Sequence, residues 1–257
     1  MKEGQIAWTR EELILAINLY CKLPFGKLHR NNPEIIKLAQ LINRTPGAVS
    51  YKLVNFASLD PSLKERGIKG AINASHLDKE IWNEFYTNWD SLPYESEKLK
   101  AEKNHSTVEK ENSIDEETLP KEGKEREQMI KVRVNQTFFR QSILASYNST
   151  CCITGIKQPE LLIAGHISPW GKDEKNRLNP RNGIAINALH DKAFEAGLIS
   201  ITPEYKIKVS SILSQQKKNS EIENYFLKYQ NKPIRLPSRF LPDPEFLKYH
   251  YNERFIK

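Results

Sequence analysis

Residues 93–128 carry 7 Lys and Arg against 11 Asp and Glu, with few large apolar side chains and with prolines at Pro93 and Pro120. A stretch of that composition does not bury enough apolar surface to offset its chain entropy. It is therefore expected as a charged linker, and it divides the 257 residues into a domain over 1–92 and a second over 129–257. Charge is shared unevenly between the two. The first carries 12 basic and 10 acidic side chains, the second 20 and 11, so the +9 of the second exceeds the +7 of the whole chain. The electrostatic case for a polyanionic partner belongs to residues 129–257. No apolar run approaches the roughly 18 residues that span a bilayer, and MKEGQIAWTREEL carries no signal-like apolar stretch, so no membrane partner is expected. Cys21, Cys151 and Cys152 are too few and too poorly spaced for a disulfide framework or a structural zinc site, and Cys151 and Cys152 read as small buried residues. A reduced, cytoplasmic setting is the expectation.

In the first domain Thr9 and Glu12 have capping-box spacing, and Trp8 with Leu13 suits a hydrophobic staple. A helix is expected from Arg10 to just before Pro24. Asn32-Pro33 and Thr45-Pro46 repeat a cap-then-proline start, with apolar stripes at Ile35, Leu38 and Ile42, then at Val49, Leu53 and Phe56. A further helix is expected near 78–89, with Ile81, Phe85 and Trp89 as core. Two helices joined across Asn43, Arg44 and Thr45 match a helix-turn-helix plan. On that plan the later helix turns Ser50, Tyr51, Lys52 and Asn55 outward, with Arg44 near its start, as a DNA-contacting set. The same unit also suits a packing or partner-binding role.

In the second domain the informative residues run from 151 to 201. Apolar runs at Cys152–Thr154 and Leu161–Ala164 flank a turn and read as a hairpin, with His166 just beyond it. A polar loop follows, then Asn182-Gly183, a strand at Ile184–Ile186, and a helix near Ala188–Ala196 stopped by Gly197. Asp191 and Glu195 lie four apart, on one helix face. Two strands, a loop and a helix thus bring His166 opposite two carboxylates. Trp170 and Phe194 read as core. Beyond 201 a strand at Ile207–Val209, a helix near Glu221–Tyr229 and a final helix with His250 are expected. Arg235 and Arg239 suit backbone tracking as well as a solvated surface.

The blocks CITG at 152–155, LLIAGHISPW at 161–170, RLNPRNG at 177–183 and LHDKAFE at 189–195 occur in order, and together they resemble the HNH endonucleases with their ββα-metal fold. The segment upstream, Arg133 to Cys151, is similar to the helix that precedes the motif, and Arg44 to Pro61 resembles a domain often fused to such nucleases. The resemblance implies an α+β protein: a helix-turn-helix-like all-α domain, a linker and a C-terminal ββα-metal nuclease domain. It implies His166 as general base, Asn182 as the residue that holds the loop, and Asp191 and Glu195 as metal ligands. His190 is implied as a third ligand or a phosphate contact, and Arg177 as a phosphate clamp. A divalent cation, Mg²⁺ first and Mn²⁺ as an alternative, is the implied cofactor, and DNA the implied partner. Gly165 departs from the pattern, standing where many members place an Asp or His ligand. The reading is a metal-dependent DNA endonuclease of restriction or phage defence, working as a homodimer. Its rivals are a non-catalytic DNA-binding regulator on the same fold and a nuclease for RNA or single-stranded DNA.

Overall fold

The computed structural model describes residues 6–67, 71, 73–169, 171 and 173–257. They fall into two units, Met1–Ser142 and Ile143–Lys257.

The first unit is built from helices whose starts are written locally. At α1 (Arg10–Lys22) the Glu12 N–H donates to Thr9 Oγ1 at 3.3 Å, and the Thr9 N–H returns a bond to the Glu12 carboxylate at 2.9 Å. Both ends of that exchange satisfy donors a helix start would otherwise strand. Asn32 and Thr45, each followed by a proline already shaped for the first helical position, open α2 (Pro33–Leu41) and α3 (Pro46–Leu59). Asp60 caps α4 (Pro61–Glu65), and a Ser75–Asp78 capping box opens α5 (His76–Thr87). Leu13, Ile17, Tyr20, Leu53, Phe56, Trp82 and Phe85 converge in one buried core. Within it Trp82 meets Tyr20 edge-on at 5.9 Å and stacks with Phe56 at 6.3 Å. Each such side chain contributes about 1.5–3 kcal/mol by leaving water. Helix α5 packs on both α1 and α3, so α3 is covered on more than the apolar stripe predicted for it.

The charged segment is not an unpacked linker. It forms α6 (Leu92–Lys103) and α7 (Val108–Glu111) and leads into α8 (Lys124–Ser146). Helix α6 lies against α1, where Asn18 Nδ2 donates to Ser96 Oγ at 2.6 Å and Lys22 Nζ meets Glu97 at 2.8 Å. Leu119, Ile130 and Val134 bury together with Tyr94, Val108 and Ile114 against them. Composition misleads here because the few apolar residues gather on one side. The acids meanwhile find bases: Lys100 reaches Glu97 and Glu111, and Arg126 reaches Glu109 and Glu116.

In the second unit β1 (Leu162–His166) pairs antiparallel with β2 (Gly183–Asn187), with Leu162 opposite Asn187 and His166 opposite Gly183. The hairpin expected between Cys152–Thr154 and Leu161–Ala164 does not form. Residues 152–154 are a turn, held by Cys152 N–H to the Ala185 carbonyl at 2.7 Å and by Arg235 N–H to the Cys152 carbonyl at 2.8 Å. A run of three residues is too short to tell a buried turn from a strand. Helix α9 (Ala188–Glu195) packs on both strands and ends at Gly197, whose φ of +71° favours glycine. A second antiparallel pair, β3 (Ile199–Ile201) with β4 (Ile207–Val209), follows, then α10 (Ser211–Ser214), α11 (Ser220–Tyr225) and α12 (Pro244–Glu253). Helix α12 packs on β3. Strand β2 is buried along its whole length. Phe194, Cys151 and Cys152 are buried as expected, and Arg239 is fully buried rather than at the surface. Trp170 lies outside the described residues. The architecture is α+β. Among the described residues, no helix is long and apolar enough to cross a membrane.

Candidate active site

His166 is the last residue of β1, at the point where the chain leaves the sheet for the loop that returns through Asn182 to β2. That loop is closed by one side chain. Asn182, 1% exposed, accepts from the Ser168 N–H at 2.7 Å and donates to the Ser168 carbonyl at 3.2 Å and the Asn176 carbonyl at 3.1 Å. Its own carbonyl takes the Ile167 N–H at 3.0 Å. Fixing Asn176 fixes the next residue, and the Arg177 carbonyl accepts from His166 Nε2 at 2.8 Å. Because a carbonyl only accepts, the ring proton sits on Nε2 and Nδ1 carries the lone pair. Burial pushes the imidazole below its ordinary value, against the opposing pull of the Arg177 carbonyl, so near neutral pH the ring is an uncharged base.

Asp191 and Glu195 line one pocket of about 460 Å³ with His166, Gly165, Lys192, His250 and Arg254. The Asp191 carboxyl is pushed up to about 6, first by burial and then by the negative charge of Glu195, with Lys192 opposing. Glu195 is exposed and meets Lys192 at 3.3 Å. Gly165 lies directly beside Asp191: a Cβ there would stand 2.5 Å from Asp191 Oδ1. The Gly165 position thus points straight at the carboxylate, and the carboxylate occupies the space a side chain there would take.

Residues 151–202 match the HNH endonuclease family. The matched span holds β1, the loop, β2, α9 and β3, hence His166, Asn182, Asp191 and Glu195. No curated protein matches the chain. A nuclease domain of this family implies nucleic acid as the substrate, and the family generally uses a divalent metal ion.

The matched span brings His166, Asp191 and Glu195 to one pocket and leaves two other expected residues out of it. His190 is 2% exposed. Its Nε2 donates to the Tyr225 carbonyl at 2.7 Å, so its Nδ1 accepts from Asn187 Nδ2 at 2.8 Å. Both nitrogens are committed, and the ring faces Phe226 and Tyr229; the expected metal or phosphate contact is replaced by a structural role. The helix turn explains the error, since His190 and Asp191 are neighbours and so point about 100° apart. Arg177 serves the site through its carbonyl, and its guanidinium is not among the groups lining the pocket.

The set expected to read DNA is used inside the first unit. Arg44 clamps Glu12 at 2.8 and 2.9 Å, donates to the Ile6 and Ala7 carbonyls, and stacks on Trp8 at 4.5 Å. Ser50 Oγ donates to the Leu28 carbonyl at 2.7 Å. Lys52, 7% exposed, meets both Asp78 oxygens at 2.8 and 2.9 Å, and Asn55 Nδ2 reaches the same carboxylate at 3.5 Å. Tyr51 alone of the five is exposed, at 50%, its hydroxyl accepting from Asn73. The helix phase was read correctly; what the sequence hid was α5, which covers the polar side of α3 from 26 residues away.

Two residues of the pocket escaped sequence reasoning, His250 on α12 and Arg254 at its C-cap. Their only local signal is the Asp243-Pro244 start of a helix, which says nothing about where that helix docks. As for a metal, the described residues hold no group of three or more His, Cys, Asp or Glu side chains around one point. The donors still fit a hard cation. Asp191 has no ion-pair partner among the described residues, and two carboxylates at one pocket repel until a cation joins them. Mg²⁺ commonly takes one or two carboxylates and keeps several waters.

Proposed function

We propose that the HNH domain is a divalent-metal-dependent DNA endonuclease, with Asp191 and Glu195 holding the cation and His166 as general base. The observation that carries the reading is the meeting, at one pocket, of a tautomer-fixed His166 and an Asp191 that has no ion-pair partner among the described residues. His166 Nδ1 takes a proton from a water molecule, the water oxygen forms its bond to phosphorus, and the bond from phosphorus to the 3′ oxygen breaks. Solvent returns a proton to the 3′ oxygen, leaving 5′-phosphate and 3′-hydroxyl ends. When bound, the divalent ion supplies positive charge to the phosphate oxygens and the leaving oxygen. Asn182 acts through His166, by fixing the loop whose Arg177 carbonyl holds Nε2–H. One such site cuts one strand, so a homodimer is proposed for double-strand breaks, with restriction or phage defence as the setting.

The test is cleavage by the full chain on supercoiled plasmid, single-stranded DNA and RNA, with Mg²⁺, with Mn²⁺ and with chelator. Nicked or linear plasmid only when metal is present supports the reading. Binding without cleavage supports the regulator, and cleavage of RNA or single strands alone supports the other rival.

A further inference from the structure

The last helix of the chain grips the last turn of α9. His250 Nε2 donates to the Phe194 carbonyl at 3.1 Å, and its ring stacks on Phe194 at 3.6 Å. The Ser200 hydroxyl therefore donates to His250 Nδ1 at 2.9 Å. Arg254 Nη2 donates to the Glu195 carbonyl at 2.9 Å, and the Ile256 N–H to the Gly197 carbonyl at 2.9 Å. The approach is close enough that a Cβ on Gly197 would meet the Arg254 carbonyl at 2.1 Å. The Phe194, Glu195 and Gly197 carbonyls, at and just beyond the end of α9, thus accept from α12 and the residues that follow it, and a cation stands at the negative end of α9.

Capping α9 does not exhaust Arg254. A guanidinium has five N–H donors in a rigid fork, the residue is exposed, and it lines the pocket that holds His166 and Asp191. Among the described residues the other lysine or arginine lining that pocket, Lys192, is paired with Glu195. A phosphodiester entering beside two carboxylates needs a fixed cation, and a planar fork matches a phosphate through paired hydrogen bonds. We propose that Arg254, rather than Arg177, is the side chain that binds substrate phosphate in this site. The proposal rests on the nuclease reading for its chemistry, and Arg254 contacts the phosphate while its Nη2 stays on the Glu195 carbonyl.

The experiment compares Arg254→Ala, Arg254→Gln and Arg254→Lys in the full chain. Plasmid cleavage is measured with Mg²⁺, and affinity for a DNA duplex is measured across a salt series in a His166→Ala background. Arg254→Gln keeps a donor for the Glu195 carbonyl and removes the charge. It should melt like wild type, raise KM by about 10- to 100-fold, and lower the slope of log affinity against log salt by about 0.9, one phosphate contact. Arg254→Lys should recover part of the loss. Arg254→Gln with wild-type KM and salt slope would show a helix cap only and overturn the proposal, as would Arg254→Ala that melts early but binds DNA normally. A wild-type chain that cuts nothing sinks the nuclease reading instead. The salt series then decides Arg254 separately, an unchanged slope overturning it.

Discussion

Helix α3 in the first unit and helix α9 in the second begin alike. Each is capped by a polar residue, Thr45 or Asn187, whose side chain accepts a backbone N–H of the first turn, and each carries polar side chains along its length. On α3 those groups close on partners within the unit: Lys52 on Asp78, Ser50 on the Leu28 carbonyl. On α9 His190 is closed off in the same way, while the next residue, Asp191, faces a pocket with its carboxyl raised to about 6. The lesson is that polar residue types do not mark a site. What sets Asp191 apart is a carboxyl partly desolvated and, among the described residues, without an ion-pair partner, the kind of group that points to a site.

The sharpest way to break this contrast is to neutralise Asp191. Asp191→Asn keeps the shape and removes the charge, so metal-stimulated cleavage should fall on the order of a thousandfold, with Mn²⁺ binding by calorimetry weakened in parallel. Unchanged Mn²⁺ affinity would remove Asp191 from the ligand set. On the α3 side the effect should be on stability. Lys52→Ala strands the buried Asp78 carboxylate, a loss of about 3–5 kcal/mol in denaturant unfolding. Replacing Asp78 by an apolar residue as well should restore much of it. Lys52→Ala with normal stability and weakened DNA binding would return α3 to the role of a DNA reader.

A pH series sharpens the α9 side. Asp191 titrates near 6 and loses its negative charge below that. His166, pushed below its ordinary value by burial, is neutral above it. Both are in their working forms above about pH 6.5, so cleavage at subsaturating Mg²⁺ should climb by up to about tenfold per unit below pH 6 and level off above 7. A profile flat from pH 5 to 8 would contradict both assignments. The smallest effect belongs to Tyr51, the exposed member of the α3 set: Tyr51→Ala should change stability by less than about 0.5 kcal/mol and leave cleavage as it was.

What was legible in the sequence was what the chain writes locally. The Thr9–Glu12 box, the Asn32-Pro33 and Thr45-Pro46 starts, and the Gly197 stop all lie within a few residues of the structure they set. The placement of His166 at a strand end, Asn182 just before the next strand and Asp191 on a helix was legible because four linked blocks fix their order. The rest depends on partners far along the chain. Asp78 finds Lys52 across 26 residues, and Arg254 reaches the Glu195 carbonyl across 59. The 93–128 segment was misread for a related reason, since a count of charges does not show that Arg126 pairs with Glu109 or that Leu119 packs with Ile130.

The most direct measurement of the central claim is the rate of plasmid nicking by His166→Ala beside wild type with Mg²⁺, with duplex affinity and melting recorded on the same preparations. Loss of a general base should lower the rate by about 10² to 10⁴ while affinity and melting hold. A His166→Ala protein that nicks at the wild-type rate would contradict the account.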